Sequence, residues 1–146
     1  MRKLNHPNII HLHEVHETDN TIYMIMDYLE GGQLLDLFKY NRKIPEGEII
    51  KNLVKILNGV AYLHENNIMH RDIKPENILF NFNNENKEPV IVDLGLATSE
   101  DENEYLYPRC GTPGYVAPEI INIKSHKAKY SHVCDLFSVG IIFHIL

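Results

Sequence analysis

The sequence predicts an α+β fold, and three features carry the prediction. Two strand-like runs near the start, Ile9 to Val15 and Thr21 to Tyr28, flank Asp19-Asn20, which is turn chemistry. A helical pattern of apolar residues follows Pro45. Two short apolar runs, Ile78-Leu79-Phe80 and Val90-Ile91-Val92, then bracket a polar, Asn-rich stretch. A length of 146 residues fits one domain with a core of its own.

Each element has its own justification. From Ile9 to Val15, apolar Ile9, Leu12 and Val15 are broken up by His11, His13 and Glu14. His11 and His13 share one face of such a strand. No closing cysteine or carboxylate set accompanies them, so solvated histidines are expected rather than a metal site. Thr21 to Tyr28 is apolar and β-rich and reads as a buried strand running into the Gly31-Gly32 turn. Gln33 to Tyr40 is a short helix with Leu34, Leu35, Leu37 and Phe38 on its apolar side. Pro45-Glu46 opens a long helix, with proline in the first turn. Ile49, Ile50, Leu53, Ile56, Leu57, Val60 and Leu63 form its core face; Lys51, Asn52, Lys55 and Asn58 mark the other. Asn81 to Glu88 is a hairpin loop. Thr98 to Tyr107, with Glu100, Asp101, Glu102 and Glu104, reads as a solvated, mobile loop. Ser131 to Leu146 is apolar nearly all round, the mark of a helix buried in something large.

The chemistry concentrates in His70-Arg71-Asp72-Ile73-Lys74-Pro75-Glu76-Asn77. It holds a carboxylate, a lysine, a second carboxylate and an amide, and a strand candidate follows at once. Asp93 arrives sixteen residues after Asn77, in front of Gly95. Asn77 and Asp93 at the ends of two short strands make a hard-cation site. Magnesium suits it, because that ion takes one or two protein carboxylates together with waters and substrate phosphates. Asp72 sits beside the site, free to accept a proton.

These residues resemble the catalytic loop of a eukaryotic-type Ser/Thr protein kinase, His-Arg-Asp with an Asn five residues after the Asp. Asp93-Leu94-Gly95 is similar to that family's Asp-Phe-Gly, and Ala117-Pro118-Glu119 to its Ala-Pro-Glu. Order and spacing agree across all three motifs. Asn5-His6-Pro7-Asn8-Ile9 resembles the start of strand four, and Met24 to Gly32 resembles strand five and the hinge. Lys74-Pro75-Glu76-Asn77 and Gly111-Thr112-Pro113 look like Ser/Thr rather than tyrosine kinases. Glu30-Gly31-Gly32-Gln33-Leu34 and Cys110 to Tyr115 look most like the calmodulin-dependent kinase group.

The resemblance implies a protein-kinase-like fold, mostly the helical large lobe, with only strands four and five and the hinge of the small lobe. Residues 1–146 form a partial kinase domain, with 1–30 ending the small lobe and 31–146 an incomplete large lobe. It implies ATP and Mg2+ as cofactors and a protein substrate with a Ser or Thr acceptor. Asp72 would be the catalytic base, Lys74 the charge near the γ-phosphate, and Thr112 the hydroxyl that bonds Asp72. Asn77 and Asp93 would hold the metal. Asp27 and Leu29 would bond the adenine edge through their backbone, with Met26 as gatekeeper. Leu79 would pack under adenine, and Glu76 would lie near ribose or a substrate arginine. Asp135 matches the aspartate that anchors the catalytic-loop backbone. Arg71 marks kinases whose catalytic loop can be tied to a phosphorylated activation segment.

The departures are specific. The sequence shows no glycine-rich phosphate loop and no strand-three lysine, and only the last turn of the preceding helix would fall in Met1 to Leu4. Two incomplete strands would leave exposed edges and poor solubility. These losses sustain an alternative: an inactive, pseudokinase-like fragment acting as a binding module. Leu94 replaces phenylalanine, Phe137 replaces tryptophan, and Gln33 stands where basophilic members often carry glutamate. Pro108 occupies the position of the activating threonine in many relatives. Phosphorylation would then fall on Thr98, Ser99, Tyr105, Tyr107 or Thr112, with the acidic run standing in part for phosphate.

Composition narrows the rest. A net charge of −6 gives no electrostatic footprint for nucleic acid. No apolar run reaches membrane-spanning length, and Met1-Arg2-Lys3 leads into polar sequence rather than a signal peptide. Cys110 and Cys134 fit no disulfide or metal pattern, so an intracellular location, cytoplasmic or nuclear, is expected. No regulatory partner can be named.

Overall fold

A computed structural model describes residues 3–36, 44–83, 86–125 and 128–146. Its elements are β1 (Leu12–Thr18), β2 (Thr21–Met26), α1 (Glu46–Glu65), β3 (Ile68–Met69), β4 (Ile78–Asn83), β5 (Asn86–Ile91), β6 (Thr98–Ser99), α2 (Pro118–Ile121) and α3 (Val133–Ile145). A 3-10 turn spans Pro75–Asn77. The strands pair as three antiparallel two-stranded sheets, β1 with β2, β3 with β6 and β4 with β5. The α+β expectation holds.

The first strand lies further along the chain than its alternation suggests. The Asp19-Asn20 turn pairs Thr18 with Thr21, and the ladder runs back only to Leu12 opposite Met26. Ile9 instead bridges in parallel to Ile91. The Ile10 N–H donates to the Ile91 carbonyl at 2.9 Å, and the Ile91 N–H returns to Asn8 at 2.9 Å. Residues 8–10 are therefore stitched to β5, which ties the small sheet to the rest. β2 ends at Met26 and is exposed along its whole length, not buried, because no second layer covers it among the described residues. His11 and His13 stack edge to face at 4.8 Å, and no group of three or more His, Cys, Asp or Glu among the described residues could hold a metal ion.

Past Glu30 the chain lies along β4. Gly31 donates to the Phe80 carbonyl at 2.8 Å, Phe80 donates back to Gly32 at 2.9 Å, and Leu34 donates to Ile78 at 2.8 Å. A Cβ on Gly31 would stand 2.5 Å from the Phe80 Cβ, so only glycine permits this approach. Half of the helix expected over Gln33 to Tyr40, residues 37–40, lies outside the described residues, as do residues 1–2 of the turn expected at Met1 to Leu4, and Gln33 itself forms an antiparallel bridge to Leu79. The Asn81 to Glu88 loop is shorter than expected, since the two strands extend to Asn83 and Asn86.

The core forms where α1 packs on β5, with β3 and α3 beside it and β4 paired to β5. Ile56, Leu63, Ile78 and Phe80 are at most 1% exposed, and each such side chain contributes about 1.5–3 kcal/mol. α1 buries a narrower stripe than its apolar residues suggest. Ile50 and Leu57 face outward, whereas Asn52 is buried. A Lys55–Glu88 ion pair fastens α1 to β5. In α3 only one face is covered among the described residues: Cys134, Asp135, Ser138, Val139 and Ile142 are buried, while Phe137 and Phe143 are exposed. Among the described residues no helix is long and apolar enough to cross a membrane.

The acidic stretch is pinned rather than free. Thr98–Ser99 pairs with Ile68–Met69. Glu100 meets His132 at 2.6 Å, and Tyr105 is buried. Asp101, Glu102 and Glu104 keep the expected exposure.

Candidate active site

β3 delivers the chain into His70–Asn77, and α3 holds it there. Asp135, 1% exposed, accepts from the His70 N–H at 2.9 Å, the Arg71 N–H at 2.8 Å and His64 Nε2 at 2.9 Å. Arg71 takes φ +68°, a left-handed conformation that costs about 1–3 kcal/mol and persists only where the surroundings over-determine it. The three bonds to Asp135 supply that constraint. Pro75–Asn77 then turns the chain into β4, and the Val92 N–H donates to the Asn77 carbonyl at 2.9 Å. This last bond brings the end of β5, and so Asp93, beside the loop.

Three side chains converge on Asp72. Its Oδ1 accepts from the Thr112 hydroxyl at 2.6 Å. Its Oδ2 lies 2.8 Å from Lys74 Nζ and accepts from Asn77 Nδ2 at 3.1 Å. Lys74 also donates to Thr112 at 2.7 Å. Gly111 makes the approach of the 111–115 segment possible: its φ is +106°, and a Cβ there would stand 2.8 Å from the Arg71 carbonyl. The structure thus brings Asp72, Lys74, Thr112 and Asn77 into one cluster. The aspartate is held by donors on both oxygens, with a lysine charge beside it.

A cavity of about 570 Å³ opens between the β1–β2 sheet and the rest. Ile10, Met26, Leu79, Val92 and Leu94 give it apolar walls, and Asp27, Leu29 and Asp93 also line it. The Asp27 N–H is spent on the His11 carbonyl at 3.2 Å, so any backbone contact from Asp27 must use its carbonyl. Glu76 does not line this cavity. It lies near Tyr115, whose phenol is pushed up by burial and then by the Glu76 charge, and its Oε2 is buried with no hydrogen-bond partner among the described residues.

The donor set for a cation is an amide oxygen and a carboxylate. Asn77 Nδ2 is occupied by the Asp72 carbonyl at 2.9 Å and by Oδ2, which leaves the Asn77 amide oxygen as the group available to a cation. Asp93 has φ +59°, with Oδ1 accepting from the Gly95 N–H at 3.1 Å. Such a set fits magnesium, which completes its shell with waters and phosphate oxygens.

His70 is fully buried. Nε2–H donates to the Val92 carbonyl at 3.0 Å, and Nδ1 accepts the Asp72 N–H at 3.2 Å, so the geometry defines a neutral ring. Burial pushes its pKa below the ordinary 6.5, against the pull of Asp135 and other charges. The unfolded chain therefore binds the proton first as pH falls. The stability from neutral His70 is complete above pH 6.5 and is lost progressively below it, toward the folded-state pKa. Between about pH 7.5 and 5.5 the melting temperature should fall more steeply in wild type than in His70→Gln. Parallel curves would refute this.

The sequence matches the family described as the protein kinase domain over residues 1–146. It is 40% identical over 146 residues to Calcium-dependent protein kinase 5 of Plasmodium falciparum, covering all of this chain and 25% of that protein. It is 40% identical over 147 residues to Serine/threonine-protein kinase DCLK3 of Mus musculus, covering 18% of it. It is 38% identical over 146 residues to Myosin light chain kinase A of Dictyostelium discoideum, covering 48% of it. The chain belongs to the protein kinase family. Its relatives are Ser/Thr kinases, and it spans about a quarter of the length of the calcium-dependent kinase.

Within this kinase chain, several neighbours of the cluster were invisible to motif reading. His64 ends α1 and reaches Asp135. Ser138 donates to the Tyr115 carbonyl at 2.8 Å, fixing the 111–115 segment on α3. Tyr130 receives a hydrogen bond from Arg71. The one signal in the sequence was Arg71 itself, a charge that needs partners wherever it is buried.

Proposed function

We propose that the protein carrying this chain transfers the γ-phosphoryl group of ATP to serine or threonine hydroxyls of protein substrates. The observation that carries the proposal is the convergence of Thr112, Lys74 and Asn77 on Asp72. Asp72 orients the acceptor hydroxyl and takes its proton. Thr112 links Asp72 to the segment on which a peptide docks. Lys74 places positive charge where phosphate charge develops. Asp27, Leu29 and Leu79 hold the adenine in the cavity, and Asn77 and Asp93 hold magnesium. Magnesium held there would supply positive charge against the phosphate oxygens. The buried, unpartnered Glu76 oxygen favours a cationic substrate side chain over ribose as its partner.

The test is phosphotransfer by the full-length protein, with magnesium and ATP, to peptides that differ only in a Ser, Thr or Tyr acceptor. Transfer to Ser and Thr with at least tenfold preference over Tyr is expected, by the scale on which an active site separates substrates. Absence of both transfer and magnesium-dependent ATP binding would turn the reading to the binding module.

A further inference from the structure

Arg71 has an unusual set of partners for a buried charge. It is 6% exposed. Nε donates to the Leu96 carbonyl at 2.7 Å, and Nη1 donates to the Tyr107 carbonyl at 2.8 Å and to the Tyr130 hydroxyl at 3.0 Å. The guanidinium carbon also lies 5.5 Å from the centre of the Tyr105 ring. None of these partners is a carboxylate, and among the described residues no ion pair forms at Arg71.

The two tyrosines are locked to one another. Tyr105 donates its hydroxyl to the Tyr130 carbonyl at 3.0 Å, and their rings lie 5.1 Å apart. Both are buried. Lys129 Nζ also lies 5.8 Å from the Tyr105 ring centre. Burial pushes the Tyr130 phenol well above its usual value, against the Arg71 charge, so it stays a neutral hydroxyl. Arg71 therefore joins four segments: its own loop, the turn after Asp93, the Tyr107 segment and the approach to α3. The carbonyl it takes from Tyr107 immediately precedes Pro108, which has no hydroxyl to phosphorylate.

We propose that Tyr130 and Tyr105 are positioning residues that fasten the 96–107 segment to Arg71 through a neutral hydroxyl and a ring face, so that the site is assembled without phosphorylation of that segment. The proposal rests on the kinase reading above. A phosphate paired with Arg71 would have to displace Tyr105, whose ring is near both Arg71 and Lys129. The latch also explains why the acidic run, though exposed at Asp101 to Glu104, leads into a fixed segment.

The experiment uses the full-length protein treated with phosphatase, with Asp72→Asn as the inactive control. Wild type should keep its Ser/Thr activity within about twofold after phosphatase. Tyr130→Phe removes one hydroxyl and should lower kcat/KM for the peptide about tenfold, the scale of one hydrogen bond to a charged group, with KM for ATP unchanged. Adding Pro108→Glu to Tyr130→Phe should restore most of the loss by giving Arg71 an anion, which a merely structural defect would not allow. Amide exchange over residues 96–108 should quicken in Tyr130→Phe whether or not the protein is active. Loss of activity on phosphatase treatment, or a Tyr130→Phe protein that matches wild type in exchange and in rate, would overturn the latch. A wild type with no activity before treatment counts against the kinase reading instead, and the exchange measurement still decides the latch.

Discussion

Asp72→Asn in the full-length protein should lower the phosphotransfer rate by about 10²- to 10⁴-fold, the range expected for a general base. The substitution keeps the shape of the side chain and removes two properties. Asparagine cannot take the proton of the acceptor hydroxyl. It also puts an NH2 where Oδ2 now faces two donors, Lys74 at 2.8 Å and Asn77 Nδ2 at 3.1 Å. The Thr112 hydroxyl, 2.6 Å from Oδ1, can still find an acceptor, so the segment stays docked. The effect should therefore appear in kcat, with KM for ATP nearly unchanged, because Asp72 does not line the 570 Å³ cavity proposed to take the adenine. Steady-state rates decide the matter. Activity within tenfold of wild type would show that another group accepts the proton.

The second large effect is on folding. Asp135→Ala should destabilise the domain by about 3–5 kcal/mol, as when one partner of a buried charge pair is removed. It strips the acceptor from two buried backbone N–H groups, those of His70 and Arg71, each worth about 1–3 kcal/mol when left unsatisfied. It also releases the constraint on the left-handed backbone of Arg71 and leaves His64 without its carboxylate. The melting temperature should drop by roughly 10 °C, and activity should fall with it because Asp72 follows directly. Thermal and urea unfolding would measure this, and a loss below about 1 kcal/mol would rule out the clamp.

The two substitutions separate chemistry from support. Asp72 sits in the cluster, and its substitution should act on rate. Asp135 lies sixty-three residues further on and acts through the geometry of the loop. The tyrosine latch stands between them, tested by rescue rather than by loss alone.

Local chemistry was legible in the sequence because it depends on near neighbours. Asp19-Asn20 set a two-residue turn, Pro45 opened α1, and the His70–Asn77 spacing put Asp72 and Asn77 on one loop, close enough to bond. The motif order also carried the family. Tertiary structure alone decided which apolar residues were covered. Ile50 and Leu57 have the right spacing and are exposed, because β3, β5 and α3 cover only a stripe of α1. It moved β1 to Leu12–Thr18, because residues 8–10 were taken by β5. It gave Arg71 its partners at Leu96, Tyr107 and Tyr130, which lie 25, 36 and 59 residues away. Such contacts leave no periodic trace in a single chain. They exist only once the chain has returned on itself and a buried guanidinium has had to find its acceptors there.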